Sequence, residues 1–166
     1  MTRLLGIDPG LNLTGYACVE LTPGSIDPHL IEAGVIRMNR NSELPDRLVQ
    51  LDQELGEIIE ELRPSRLVVE SLFSHNTFRQ ASLLMGHARG VILLAAARRG
   101  VSTGELAPAE VKRAVTGNGR ATKEQVQHAV MMQCGLAEPP DPPDVADAIA
   151  IALCAGRRSE QSLGID

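Results

Sequence analysis

The stretch RLLGIDPGLNLTGYACVE (residues 3–20) decides how the fold begins. An apolar run that ends at Asp8 is cut off by Pro9 and Gly10, and a second extended run starts at about Thr14 and reaches Glu20. Apolar runs bounded by turn residues predict strands, and the short link between them predicts an antiparallel pair. A third strand is expected over residues 30–37, after a loop rich in Pro, Gly, Ser and Asp. The chain should therefore open as a three-stranded antiparallel meander.

The rest of the chain predicts helices alternating with two more strands. Leucine and isoleucine recur at steps of three and four from Leu44 to Leu62, which is the pattern of an amphipathic helix. A β-branched run at residues 66–70 predicts a strand buried on both faces, and residues 101–106 predict a fifth strand. Further helices are expected over residues 77–99, 108–115, 122–134 and 144–156, with a mobile glycine loop at residues 116–120.

These elements predict an α/β fold, a mixed five-stranded sheet with helices on its faces, in a single domain over residues 1–157. Residues 158–166 are expected to form a flexible tail. The helix expected over residues 77–99 is unusually apolar, so it should either be central to the core or be shared with a second subunit.

Composition excludes several classes of protein. The chain has 166 residues, of which 43% are hydrophobic and 22% charged, which is enough apolar material for one ordinary core. The sequence contains no uninterrupted apolar run of about 18 to 20 residues and no signal-peptide core, so we expect no membrane association and a cytoplasmic location. The three cysteines are far apart and lack metal-site spacing, which argues against a disulfide framework or a zinc site.

The charges are distributed unevenly along the chain. The formal net charge is −5, and residues 43–63 alone carry seven acidic and two basic residues. Residues 64–123 carry nine basic and three acidic residues. This segment could form a basic face for an anionic partner, or its arginines could be scattered over helix surfaces; charge counting leaves both interpretations open.

Four carboxylates occupy positions that are unfavourable for structure alone. Asp8 and Glu70 each end an apolar strand, and Asp144 and Asp147 lie three residues apart at the start of an apolar helix, on one helix face. Each has a structural explanation as a turn residue, an ion-pair partner or a helix cap. Together they form the set of hard oxygen ligands that Mg²⁺ or Mn²⁺ requires. Two such ions, about 4 Å apart, can hydrolyse a phosphodiester.

Five motifs follow one another along nearly the whole chain: LGIDPG with TGY (residues 5–16), VVE with Phe73 (residues 68–73), the Ala88-Arg89-Gly90 run, the glycine-loop region with its two lysines (residues 111–126), and DVADAIA (residues 144–150). With these motifs the sequence resembles the RuvC family of Holliday-junction resolvases.

The resemblance implies an RNase H-like fold, a homodimer and Mg²⁺-dependent paired nicking of symmetric strands across a four-way DNA junction in recombination and repair. It implies that Asp8, Glu70, Asp144 and Asp147 hold two Mg²⁺ ions per active site, with Mn²⁺ as a substitute. It also implies a branch-migration motor as a partner. Residues expected to contact DNA are Phe73, Arg79, Lys112, Arg120 and Lys123, with Phe73 stacking on unpaired bases.

Two alternatives remain at this stage. The first is a nuclease of the same fold that processes ribosomal RNA, since a Gly-Ile-Asp opening also resembles that group. The second is a DNA-junction binder without catalysis, and the intact set of four acids weighs against it because a binder would gain from losing negative charge beside phosphate. An actin-like ATPase would need a second domain, for which 166 residues leave no room.

Overall fold

The computed structural model describes residues 1–72 and 79–163, without the side chains of Arg79 and of residues 160–163. The elements of this part of the chain are, in order, β1 (Thr2–Asp8), β2 (Leu13–Leu21), β3 (His29–Arg37), α1 (Leu44–Leu62), β4 (Arg66–Glu70), α2 (Arg79–Arg98), β5 (Ser102–Leu106), α3 (Pro108–Thr116), α4 (Lys123–Gln133) and α5 (Pro143–Leu163).

The strands form one mixed sheet in the order β3-β2-β1-β4-β5. Strands β1, β2 and β3 pair antiparallel, as the meander predicted, whereas β1 pairs parallel with β4 and β4 parallel with β5. The expected five-stranded mixed sheet is therefore confirmed, and each strand end lies within one residue of its expected position.

Helices cover both faces of the sheet, as expected. Alternate residues of β1 and β4 point to opposite faces, so Leu5 and Val69 pack with α1 and α2 while Leu4 and Val68 pack with α3, α4 and α5. Both faces of β4 are buried, which confirms the interpretation of residues 66–70 as a central strand.

Helix α5 lies directly against the sheet because two strand residues lack side chains. A Cβ atom added at Gly6 of β1 would lie 2.6 Å from the Ala148 carbonyl oxygen and 2.9 Å from the Ala152 Cβ. Gly15 of β2 is in the same position relative to the first turn of α5. Glycine inside a strand often marks such a close approach. This contact brings the helix that carries Asp144 and Asp147 to the sheet.

The end of α5 differs from expectation. The helix was expected to stop at about Gly156, but it continues to Leu163 and takes in residues 158–163, which were expected to be part of a flexible tail. Gly156 is a packing position inside the helix, where an added Cβ would lie 2.9 Å from the Pro28 Cβ. Beyond it, Arg157 donates a hydrogen bond to the Ala114 carbonyl, which ties this turn to α3.

Helix α2 is only partly buried. Ala88, Ile92, Ala95 and Ala96 contribute to the core under α1, while Leu83 and Leu94 are exposed to 68% and 47%. Among the described residues, one helix, Gln80–Arg98, is long and apolar enough to cross a membrane on those criteria alone, and the same criteria are met by core helices of globular domains. The capping box expected at Thr77 lies outside the described residues.

The loop between α3 and α4, which was expected to be mobile, is held by hydrogen bonds. Gly117 ends α3 in the left-handed region (φ 78°), and the Thr116 hydroxyl donates to the Lys112 carbonyl at 2.7 Å. The predicted capping box at the start of α4 is confirmed, because the Gln125 N–H donates to the Thr122 hydroxyl and the Thr122 N–H to the Gln125 side chain. The lysines on either side of this loop therefore stand on well-defined helices.

Candidate active site

Asp8 and Glu70 lie side by side at one end of the sheet. Strands β1 and β4 run parallel with Ile7 opposite Val69, so the next residue of each strand is an acid. Side-chain alternation turns both acids toward the face covered by α5, because Leu4 and Val68, an even number of residues earlier, pack there. Both are partly buried. The carboxyl ends of two parallel strands therefore supply the first pair of carboxylates.

The side chain of Thr14 holds the turn after Asp8 through two hydrogen bonds. The buried Thr14 hydroxyl donates a hydrogen bond to the Gly10 carbonyl at 2.7 Å and accepts one from the Gly10 N–H at 3.2 Å. Both backbone groups of the turn residue are thus satisfied by one side chain. This arrangement fixes the backbone that leaves Asp8.

Asp144 reaches the same place from α5. Asp8 is opposite Gly15 in the β1–β2 pair, and a Cβ added at Gly15 would lie 2.6 Å from the Asp144 carbonyl carbon and 3.3 Å from its Cβ. Asp147 follows three residues later in the same helix. Gly15 thus allows the start of α5 to lie against the strand pair that carries Asp8.

The four acids lie close enough to influence one another's ionisation. The pKa of Asp8 is raised from 3.8 to about 8, first by burial and then by the negative charges of Asp147, Asp144 and Glu70. Burial also raises the pKa of Glu70 and of Asp147. The negative charge of Asp147 raises the pKa of Glu70 further, and that of Asp144 raises the pKa of Asp147. Like charges in a partly desolvated place disfavour ionisation. Asp8 therefore favours its protonated form at neutral pH when no cation is bound.

The carboxylates are neighbours without converging on one point. In the described part of the chain, no group of three or more His, Cys, Asp or Glu side chains is close enough together to hold a metal ion. All four donors are carboxylates, the class preferred by Mg²⁺ and Mn²⁺, so the chemistry of the set fits such ions. Binding of one ion by three of them requires side-chain adjustment.

Two lysines face the acids. The Lys123 ammonium lies 3.6 Å from an Asp147 carboxylate oxygen, and its side chain is 71% exposed. Lys112 and Lys123 both lower the pKa of Glu70 and of Asp147, which places both positive charges beside the site. Both lysines were expected to contact DNA, and that role stays a prediction.

The other expected DNA contacts are less defined. Arg120 is exposed in the α3–α4 loop, where its backbone N–H donates to the Asn118 side chain. Arg79 begins α2, but its side chain is not among those described, and Phe73 lies outside the described residues. The roles of these three residues stay predictions.

Part of the positive charge of residues 64–123 is neutralised inside the domain. Arg98 pairs with Asp52 at 3.4 Å and Arg99 with Glu60 at 3.0 Å, so the last base of α2 and the base directly after it meet acids of α1. These two arginines are therefore paired with acids of α1, whereas Lys112 and Lys123 lie beside the four acids.

Sequence reasoning missed one side chain that supports the site. Arg89 of α2 donates a hydrogen bond to the Glu70 backbone carbonyl at 2.8 Å and forms an ion pair with Glu105 of β5. Its place in the Ala88-Arg89-Gly90 run was noted only as part of a resemblance. An arginine inside an apolar helix is the signal that could have found it, since such a residue needs a partner.

Comparison with known proteins identifies the group. The family model described as "Crossover junction endodeoxyribonuclease RuvC" matches residues 4–155. This chain belongs to the RuvC family. A RuvC of Rhodopirellula baltica is 48% identical over 151 residues, which cover 91% of this chain and 84% of that protein, and one of Moorella thermoacetica is 45% identical over 91% and 89%.

A solved structure of T. thermophilus RuvC in complex with Holliday junction substrate covers 98% of this chain and 97% of its own, with a TM-score of 0.88 and 30% identity. The RuvC fold, which is RNase H-like, is therefore confirmed for this chain. The alternative of a nuclease that processes ribosomal RNA is set aside, because the match to RuvC relatives is strong along almost the whole length.

Proposed function

We propose that this chain resolves four-way (Holliday) DNA junctions during recombination and repair, by paired nicks in symmetric strands. Its membership of the crossover junction endodeoxyribonucleases supports this function, as does its similarity to a RuvC solved with a junction. The observation that carries the proposal for this chain is the location of Asp8, beside Glu70 and within the field of Asp144 and Asp147.

The four acids are the metal ligands in this proposal. Two Mg²⁺ ions, or Mn²⁺ in their place, would supply an activated water and stabilise the leaving oxygen of the phosphodiester. The raised pKa of Asp8 supports a cation here, since a positive charge would offset the repulsion among the carboxylates. The strand ends hold Asp8 and Glu70 in place, and the contact of α5 with Gly15 positions Asp144 and Asp147.

The lysines bind the backbone of the DNA. Lys123 is mostly exposed and close to Asp147, and Lys112 lies on the preceding helix. A substrate phosphate near the acids would meet both ammonium groups, which lower the local repulsion that the carboxylates exert on it. Contacts of this kind position the strand without reading its sequence.

Three further residues are assigned to DNA by their expected places. Phe73 follows the end of β4 by three residues, so we assign it to stacking on unpaired bases beside Glu70. Arg79 at the start of α2 and Arg120 in the exposed loop next to Lys123 are assigned to phosphate contacts.

The working form is a homodimer joined through α2. Leu83 and Leu94 are exposed on this helix, and a Cβ added at Gly86 or Gly90 would meet nothing within 4 Å among the described residues. These four residues, which we call the α2 stripe, follow helical spacing along one side. Large apolar side chains separated by glycines suit close packing of two symmetry-related helices, and two coupled sites suit a two-fold symmetric junction.

Two further assignments complete the proposal. The branch-migration motor implied by the family resemblance is the partner that would move the junction through the dimer. We place the protein in the cytoplasm, where reduced cysteines are the rule; Cys18, Cys134 and Cys154 are all free thiols.

The test uses a synthetic four-way junction with each strand labelled in turn. With Mg²⁺, wild-type protein should give nicks at symmetric positions in two strands. Asp8→Asn and Glu70→Gln should abolish cleavage, while junction binding in EDTA persists or tightens because negative charge beside phosphate is lost. Glu57→Gln is the matched control, since Glu57 is an exposed acid on α1.

Two outcomes would contradict the proposal. Near-normal cleavage by Asp8→Asn and Glu70→Gln would show that the reaction takes place elsewhere. Tight junction binding by wild-type protein without nicks in Mg²⁺ or Mn²⁺ would favour the alternative of a binder without catalysis.

A further inference from the structure

Arg89 connects α2 to the last residue of β4. Its Nη1 donates a hydrogen bond to the Glu70 backbone carbonyl at 2.8 Å, and its Nη2 forms an ion pair with the Glu105 carboxylate. The Arg89 side chain is only 11% exposed, whereas that of Glu105 is 58% exposed. One guanidinium thus binds the main chain of a proposed metal ligand and an acid on the neighbouring strand.

The Glu70 carbonyl lies at the end of the sheet. In the parallel pair of β4 and β5, Glu70 is the last residue in register, opposite Leu106. The chain after it is held by Ser71, whose N–H donates to the Leu106 carbonyl at 2.8 Å and whose hydroxyl donates to the same oxygen at 3.1 Å. Arg89 donates to the carbonyl of the peptide that joins Glu70 to Ser71. Helix α2 and strand β5 therefore hold this peptide together.

We infer that Arg89 is a positioning residue for Glu70, and that Glu105 orients its guanidinium. The inference rests on the proposed function of Glu70 as a metal ligand. The direction of the Glu70 side chain depends on the orientation of its own peptide, which is the final one of the strand. A rigid, planar guanidinium can hold that carbonyl and Glu105 at once, and a lysine ammonium lacks this fork.

Burial on both sides of Arg89 keeps it in this position. Ala88, next to it, and Ile92, one turn later, are both fully buried in the core under α1. The helix cannot rotate about this turn without exposing them. The position of the Glu70 carbonyl is therefore tied to the packing of α2 on the sheet.

The turn directly after α2 offers a matched control. Arg99 pairs with Glu60 at 3.0 Å and donates to the Ala95 carbonyl at 3.3 Å, so it too combines an ion pair with a backbone carbonyl. It lies just beyond the end of α2, next to the turn that leads into β5, whereas Glu70 lies at the opposite end of the parallel β4–β5 pair. Arg99→Met removes an equivalent set of contacts without touching Glu70.

The experiment compares Arg89→Met, Arg89→Lys, Glu105→Gln and Arg99→Met as full-length proteins. Four quantities are measured: the melting temperature, junction binding in EDTA, the affinity for Mn²⁺ alone by titration calorimetry, and the cleavage rate at saturating junction. Residues that orient a metal ligand typically change metal affinity or activity by about 10- to 100-fold. We expect a loss of that size in Mn²⁺ affinity and rate for Arg89→Met, with junction affinity unchanged.

The other variants test how Arg89 and Glu105 act on Glu70. Arg89→Lys should recover part of the loss, and Glu105→Gln should show a smaller loss of the same kind. Arg99→Met should lower only the melting temperature. If Arg89→Met does not fold, Arg89→Lys and Glu105→Gln decide by the same measurements.

The inference is overturned if the Arg89 and Glu105 variants lose stability as Arg99→Met does but keep wild-type Mn²⁺ affinity and cleavage rate. Asp8→Asn, included in the same series, separates this from a failure of the proposed function. An inactive Asp8→Asn beside a fully active Arg89→Met overturns the role of Arg89 alone. An active Asp8→Asn overturns the proposed site itself.

Discussion

Replacing Asp8 with Asn should stabilise the metal-free protein while it removes activity. The pKa of Asp8 is raised from 3.8 to about 8 by burial and by three neighbouring carboxylates. Between these two values the folded state holds a proton that the unfolded state has released, so the free energy of unfolding falls as pH rises through this window. An uncharged amide of nearly the same shape does not titrate. The free energy of unfolding of the variant should therefore not fall over this pH range.

The size of the effect follows from the pKa shift. At pH 7, about three pH units above 3.8, the cost to the wild-type protein is about 4 kcal/mol at about 1.4 kcal/mol per unit. Asp8 is partly exposed, and water and side-chain movement reduce the charge repulsion, so we expect a gain of about 2 kcal/mol for the variant. The gain should vanish near pH 4 and level off above pH 8.

The assay is urea unfolding in EDTA at pH 5, 6, 7 and 8, with Glu57→Gln as the control for loss of an exposed acid. The difference between Asp8→Asn and wild type should grow with pH, whereas Glu57→Gln should follow wild type. Addition of Mg²⁺ should stabilise the wild-type protein more than the variant, because a ligand that binds only the folded state adds to its stability. Parallel pH profiles, or a variant less stable than wild type at pH 8, would refute the reasoning.

Four other changes test the remaining parts of the site. Gly15→Ala should push the start of α5 away from the sheet and lower the cleavage rate by about 100-fold with junction binding retained, and an unchanged rate would contradict the close approach. Lys112→Ala or Lys123→Ala should each reduce the slope of log binding constant against log salt by about one unit, and a wild-type slope would remove that lysine from the interface. Phe73→Ala should keep the melting temperature and lower cleavage; a large fall in melting temperature with normal cleavage would show a core residue instead. Leu94→Glu should give monomers in sedimentation and poor paired nicking, whereas a persisting dimer would place the interface elsewhere.

Strand positions and the ends of most helices could be predicted from the sequence, because local signals determine them. Pro9 and Gly10 stop β1, and the capping box at Thr122 starts α4, through interactions that reach only a few residues. The last helix was predicted to end at about Gly156, but it continues to Leu163. The actual role of Gly156 is a contact with Pro28, which is distant in sequence.

The four acids could also be selected from the sequence, since carboxylates at the ends of apolar strands and at the start of an apolar helix are unusual. What brings Asp144 to Asp8 could not be predicted in the same way. It depends on Gly6 and Gly15, where the absence of a side chain lets α5 touch the sheet, and a glycine reveals such a contact only when the opposing element is known.

The sequence by itself therefore determined the order of the elements, the binary pattern of each face and the identity of the acids, all of which depend on residues close together in the chain. Only the tertiary structure decided which charges meet: Arg98 and Arg99 with the acids of α1, Lys123 with Asp147, and Arg89 with Glu105 and the Glu70 carbonyl. These pairings join residues up to 46 positions apart. Electrostatic contacts depend on distance in space, and the packing of the helices on the sheet sets that distance.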